Sequence, residues 1–387
     1  MVVFLFGLTS SAFNGFLGIY IKEIGYSETI VGGLLSLRRI SVAFSAIIMA
    51  MLAGRFGRRN ALVFGLILMG IGAIGIISFK SLEIMKCMSI IFGIGQSTLM
   101  TFEAPFLYSK STEETRVHAF SASFSARNAA FMIGAFGTGL LADFLTTYVK
   151  IDCLGIRYAL YIVSAMTFVA LIPLMMIEQE GHGDRLVINL EDIPKVLNKK
   201  LITFLIYTGF IGFGAGMVVP FFGVYLRYSL SIADSTVGLI LAIAQMGTVV
   251  GGLTVPLLAK RFGKVDTITL VQMGSIPFLI LIGVPMNIVL VTIAFFFRSS
   301  LMNMAQPLIQ NVYMEIVDEQ QRPLVSSLRS TVSNLARAGG IMLGGYMMAN
   351  VSYGSPYVVT ILCYIIGTIV FRRFFSHRDK RETSCNV

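Results

Sequence analysis

Twelve apolar stretches of about twenty residues recur along this chain and constrain its fold more than any other feature. A helix rises about 1.5 Å per residue, so each stretch matches the ~30 Å hydrocarbon core of a bilayer. In lipid the backbone must satisfy its own hydrogen bonds, which leaves helices or closed barrels. The runs lack the ~10-residue alternation of barrel strands, so the expectation is an all-α membrane protein. The first six spans read as Val2–Ile21, Thr29–Leu52, Ala61–Phe79, Ile84–Tyr108, His118–Ala142 and Tyr158–Met176. The second six read as Leu201–Tyr225, Ser235–Leu258, Thr267–Pro285, Asn287–Tyr313, Pro323–Ala349 and Pro356–Phe371. Composition agrees: charged residues make up 13% of the 387, where a soluble domain carries roughly 25%.

The chain also repeats itself. Leu52-Ala53-Gly54-Arg55-Phe56-Gly57-Arg58-Arg59 returns as Leu258-Ala259-Lys260-Arg261-Phe262-Gly263-Lys264, an offset of 206 residues. Gly32 and Gly238, Arg116 and Arg322, Asn128 and Asn334, Gly134 and Gly340, and Gly139 and Gly345 keep that offset. Pro105 and Pro307 fall at 202, a slip of a few residues, and are expected to kink the fourth and tenth spans. Dispersed identities at one offset indicate a tandem duplication. The expected organisation is two pseudo-symmetric six-helix bundles, 1–176 and 201–373, joined by a polar cytoplasmic linker, 177–200, and followed by a cytoplasmic tail, 374–387. In membranes, repeats of this kind mark secondary transporters with a site between the halves.

Lysine and arginine set the orientation. Eighteen lie in loops on the side that carries Arg55, Arg58, Arg59, Arg261 and Lys264, and six lie on the other. By the positive-inside rule both termini are expected in the cytoplasm, in the cell membrane. The net charge of +10 is thus topology and not a nucleic-acid patch. Val2–Ile21 has a counterpart in the second half and reads as a structural helix, not a cleaved leader. The four cysteines and three histidines have no metal-ligand or disulfide spacing, and no cofactor is expected.

The two basic loops resemble the signature between spans two and three of the major facilitator superfamily, Gly-x-Leu-Ala-Asp-Arg-x-Gly-Arg-Lys. The match covers Leu52, Ala53, Arg55, Gly57, Arg58 and Arg59, and more weakly the second copy through Arg261, Gly263 and Lys264. Gly54 and Lys260 stand where the family has an acid. Gly134-Ala135-Phe136-Gly137-Thr138-Gly139 and its counterpart from Gly340 are similar to the family's antiporter signature, with Ala135 and Ile341 in place of its proline. The resemblance implies the twelve-helix fold of the superfamily. It also implies that the basic loops act as cytoplasmic gates and that the chain works by alternating access on a small molecule, with a proton as the usual coupling ion. A functional monomer in the lipid bilayer is the expected form.

Charges inside the spans point to the site. Arginine at the bilayer centre costs roughly 2.5–3.5 kcal/mol on insertion scales, so it faces water or a partner. Six arginines fall within spans: Arg38, Arg39, Arg127, Arg298, Arg329 and Arg337. Arg39, Arg127 and Arg298 lie roughly ten to twelve residues into theirs, close to the midplane. Arg337 is similarly deep, while Arg329 can snorkel. Arg38 points about 100° from Arg39, so one of the two serves packing. The repeat pairs Arg39 with Gln245, Arg298 with Gln96 and Arg127 with Ser333. The candidate binding set is Arg39, Arg298, Arg127, Gln96, Gln245, Asn14, Gln306 and Arg337. Glu103, clearly within a span, is a proton carrier or the fixed counter-ion of Arg127.

Two transport readings follow. One is an ion-coupled exporter of drug-like compounds, favoured by the similarity of the segments from Glu103 to Arg116 and from Ser121 to Gly139 to family exporters. The other is a carrier of a small organic or inorganic anion, favoured by the excess of deep arginine. A lipid scramblase or membrane-embedded enzyme is the remote alternative. No nucleophile–base set, metal cluster or phosphate loop supports the enzyme.

Overall fold

The computed structural model describes residues 1–109, 111–148, 155–176, 197–284, 287–315, 317 and 321–384. The side chains of 46–56, 58, 104, 105, 109, 113, 114, 116, 117, 323 and 376–384 lie outside that description. Among the described residues there is no strand. The first half forms α1 (Val2–Glu23), α2 (Glu28–Phe56), α3 (Arg58–Ser78), α4 (Leu82–Ser109), α5 (Glu113–Thr147), α6 (Gly155–Val169) and the short α7 (Leu171–Met175). The second begins with α8 (Lys199–Val218), which continues through a 3-10 turn at Val219–Phe221 and a π-helical turn at Tyr225–Ser229. There follow α9 (Asp234–Phe262), α10 (Lys264–Gly274), α11 (Ile276–Gly283), α12 (Ile288–Met304), α13 (Gln306–Glu315), α14 (Arg322–Asn350) and α15 (Ser355–Ser384).

Joined across their short breaks, these helices make twelve passes. Ten are long and apolar enough to cross a membrane. The other two, α2 and α14, carry Arg38 and Arg39, and Arg329 and Arg337, along their length. The fold is the all-α arrangement expected.

The prolines behave unequally. The α4 backbone stays helical through Pro105, whereas the tenth pass breaks between Met304 and Gln306, just ahead of Pro307. The ninth pass breaks at Ser275, and Pro277 occupies the first turn of α11, where a missing N–H costs nothing. The last helix runs on to Ser384, past the apolar end at Phe371.

The matched basic loops fold alike. Gly57 precedes α3 with φ 86° and ψ 150°, and Gly263 precedes α10 with φ 81° and ψ 166°. Only glycine takes that backbone without strain, so the repeat preserves the one residue type that turns the chain there.

The chain packs as two compact units. The first is Met1–Val187 together with Pro220–Ala242, and the second is Ile188–Val219 with Ile243–Val387. In the first, α1 lies on α5 and α6, α2 on α4, and α3 on α4 and α6. In the second, α8 lies on α14 and α15. Small residues permit these approaches. A Cβ on Gly134 would stand 2.9 Å from the Leu8 carbonyl of α1. One on its repeat partner Gly340 would press into the Phe213 carbonyl of α8, and one on Gly216 into the Arg337 carbonyl.

Helix ends are satisfied by arginine. Arg157 of α6 donates from Nε to the Ile77 carbonyl (3.1 Å) and from Nη2 to that of Ser78 (3.3 Å), closing the C-terminus of α3. Such orphan carbonyls carry the negative end of the helix dipole.

Candidate functional site

The deepest charge cluster belongs to the second unit. Arg298, on α12, is 4% exposed and donates from Nη2 to the Tyr364 hydroxyl of α15 at 3.2 Å. Arg329 of α14 reaches Gln306 Oε1 at 3.4 Å and holds its guanidinium carbon 5.0 Å over the Tyr313 ring. Arg337, two turns further along α14, donates no hydrogen bond among the described residues and interacts electrostatically with Arg298, Arg329 and Tyr364. Beside them runs a buried polar chain. Thr368 Oγ1 donates to Gln272 Oε1 (3.1 Å), and Gln272 Nε2 donates to the Tyr207 hydroxyl (2.6 Å).

Acids do not balance this cluster. Among second-unit residues whose side chains are described, the acids are Asp266, paired with Arg372 at 3.6 Å, and Glu315, paired with Lys264. Arg337 therefore feels two other cations in a region rich in phenol and amide groups. Guanidinium offers fixed, doubly pronged donors to carboxylate or phosphate oxygens.

The first unit treats its charges differently. Glu103 of α4 accepts from Arg127 Nη2 at 2.5 Å and from Ser123 Oγ at 2.6 Å, both on α5. The Glu103 side chain is 13% exposed and that of Arg127 43%. Glu103 also lines a cavity of about 190 Å³, whose other walls include Val2, Phe6, Leu62, Leu99 and Leu174. Arg38 is the more buried of the two adjacent arginines at 3%, and it donates to Asn14 Oδ1. Arg39 is half-buried and has partners of its own. Gln96 is buried in α4, and Gln245 is half-buried in α9.

The structure thus brings together Arg298 with Arg337, Arg329 with Gln306, Glu103 with Arg127, and Asn14 with Arg38. Sequence reasoning passed over Tyr364, Tyr207 and Gln272, polar residues within apolar runs. Their depth in long helices was the available signal.

The loops at positions 57 and 263 hold their own ends. Arg59 donates from Nε to the Leu174 carbonyl at 3.3 Å and from Nη2 to that of Met175, so a basic-loop arginine closes the C-terminus of α7. Lys264 pairs with Glu315, and Arg261 stacks over Phe262 at 5.3 Å. The Arg55 and Arg58 side chains fall outside the described residues.

At the opposite end of the first unit, Asp143 of α5 accepts from the backbone N–H of Asp234 (3.3 Å) and of Ser235 (2.8 Å), capping α9. Arg227 pairs with Asp234 at 3.2 Å. Gly139 and Gly238 allow the backbones to meet: a Cβ on Gly238 would lie 2.5 Å from the Ala135 carbonyl.

The family description "Major Facilitator Superfamily" matches residues 1–213 and again 204–386. The chain belongs to the major facilitator superfamily. It is a membrane transporter and not an enzyme. A comparison with curated proteins finds no match. Among solved structures, the nucleoside transporter NupG aligns with TM-score 0.78 at 15% identity, covering 97% of each chain. A bacterial homologue of the human lysosomal transporter Spinster, in an inward-facing, occupied conformation, aligns with TM-score 0.77 at 15% identity, covering 98% of this chain and 95% of that one. The xylose transporter XylE from E. coli aligns with TM-score 0.72 at 15% identity, covering 97% and 95%. At such identities these likenesses establish the superfamily fold and not the solute.

Proposed function

We propose that this superfamily member is a secondary carrier of a small anionic solute, working by alternating access, with Arg298, Arg329 and Arg337 as its recognising charges. The observation that supports the reading is the second-unit cluster: buried Arg298 with half-buried Arg329 and Arg337, two buried phenols and no carboxylate paired with them among the described side chains. A neutral solute would leave that repulsion uncompensated, whereas a carboxylate or phosphate ester would relieve it. Arg39, Arg127, Asn14, Gln96, Gln245 and Gln306 remain secondary candidates for the same solute. A proton is the proposed coupling ion, the basic-loop end is proposed to face the cytoplasm, and the pairing with Arg127 supports Glu103 as that arginine's fixed counter-ion.

Export of lipophilic, drug-like compounds is a second reading. Its support is the apolar cavity of about 190 Å³ with a carboxylate at its edge. Arg127 already neutralises that carboxylate, which weakens its pull on a cationic drug.

A binding panel on the purified chain separates the two. Mono- and dicarboxylates and phosphate esters are expected to raise thermal stability. Arg298→Gln and Arg337→Gln should each weaken that effect by roughly tenfold or more, with yield unchanged. Stabilisation by lipophilic cations alone would overturn the anion reading.

A further inference from the structure

A second and separate concentration of unsatisfied charge lies inside the first unit. Arg38 sits mid-way along α2, 3% exposed, with its guanidinium carbon 5.3 Å over the Phe92 ring of α4. Its Nη2 donates to Asn14 of α1, but its Nε and Nη1 have no hydrogen-bond partner. Two more orphans are Ser10 Oγ on α1, one turn from Asn14, and Gln96 Oε1 on α4, one turn from Phe92, each in a residue 1% exposed.

Helix geometry gathers these atoms. The Phe13 and Phe92 rings stack at 5.0 Å and fix α1 against α4 at this level. Ser10 is one turn from Asn14, and Gln96 one turn from Phe92, so each pair shares a helix face. The start of α1 and the end of α4 line one cavity together, so the two helices run antiparallel. Ser10 and Gln96 therefore lie on the same side of the ring stack, one turn further in than Phe6 and Leu99 of that cavity. Asn14 is half-buried, its amide nitrogen unused, and marks where the cluster meets accessible space.

The charge is uncompensated. Glu103 is the one carboxylate well inside the first unit's helices among the described side chains, and Arg127 and Ser123 already occupy it. A buried cation with idle N–H groups is costly unless an acceptor of opposite charge joins it. Of the unused groups, the Arg38 guanidinium and the Asn14 amide nitrogen donate and the Ser10 hydroxyl can donate, while Gln96 Oε1 only accepts and takes no part in holding an anion.

We infer that Arg38, Asn14 and Ser10 form a binding site for a small monovalent anion, either a free halide or the carboxylate head of an organic acid. The inference does not rest on the anion reading of the second unit. It stands even if the transported solute is neutral.

The test follows thermal unfolding of the full chain in detergent through maleimide-dye labelling of buried Cys363, since the chain has no tryptophan. Methanesulfonate is exchanged for chloride, bromide, acetate or butyrate at constant ionic strength. Measured in the Arg298→Gln background, where the second-unit arginine is removed, a saturable upward shift is expected, and none once Arg38→Gln is added. Should Arg38→Gln not fold, Asn14→Ala keeps the cation and should weaken the apparent affinity roughly tenfold. A response to chloride and bromide alone identifies a halide, and a response to acetate and butyrate identifies a carboxylate head. Identical melting in methanesulfonate and every other anion would overturn the site, leaving water to satisfy these atoms. A shift that survives Arg38→Gln in the Arg298→Gln background, or an apparent affinity unchanged in Asn14→Ala, would overturn it equally.

Discussion

Arg127 and Glu103 form an ion pair whose halves are unequally wet, and the inequality predicts an asymmetric response. Removing the carboxylate by Glu103→Gln leaves Arg127, 43% exposed, to find water, a cost of about 1 kcal/mol or less. Removing the cation by Arg127→Gln leaves the drier carboxylate with only Ser123, at a cost of roughly 2–3 kcal/mol. The double variant should recover most of that loss. Thermal unfolding of the three variants checks the order, and equal losses in both single variants would show that the pair is not desolvated. Sequence depth found this pair because two opposite charges in neighbouring apolar spans have few other partners. It put Arg39 and not Arg38 in the binding set on depth, without a signal for which of the two points inward. Both lie on a helix apolar all round, and without a polar face to mark the outside, a 100° separation does not say which side is inner. Tyr364 was invisible for a related reason: a phenol in an apolar run reads as packing until a guanidinium is seen against it.

Helices were legible wherever hydropathy alone decides, and their breaks were not. Pro105 and Pro307 occupy matched positions, yet only the second lies at a break, because a proline's effect depends on how neighbouring helices re-satisfy the freed carbonyl. Packing between helices gives a sharper prediction. Gly340→Val would drive a side chain into the Phe213 carbonyl of α8 and should sharply reduce folded yield. Gly137→Ala meets nothing within 4 Å and should be neutral. Size-exclusion profiles of the two variants test this, and normal yield for Gly340→Val would contradict the close approach. At the start of α9, Asp143→Ala removes the acceptor of two backbone N–H groups, a cap worth about 1 kcal/mol. Maleimide labelling of a Ser235→Cys reporter should then speed up, and an unchanged rate would mean that the cap does not hold this junction.

The whole molecule carries its duplication in both sequence and backbone, most plainly where Gly57 and Gly263 adopt the same left-handed turn. The compact units are not readable from the repeat. Pro220–Ala242 belongs to the second copy by sequence but packs with the first unit. Asp143 and the glycines at 139, 223 and 238 make that contact, and tertiary neighbours of this kind leave no periodicity behind. Superfamily membership was legible from the loops, while the solute rests on the chemistry of the second-unit arginines. Counterflow in proteoliposomes tests that chemistry most directly: vesicles loaded with unlabelled organic anion are diluted into the labelled compound. The account predicts transient accumulation by the wild type, partial activity in Arg298→Lys and none in Arg298→Gln at equal reconstitution. Accumulation of a neutral or cationic solute instead, unchanged by Arg298→Gln, would contradict it.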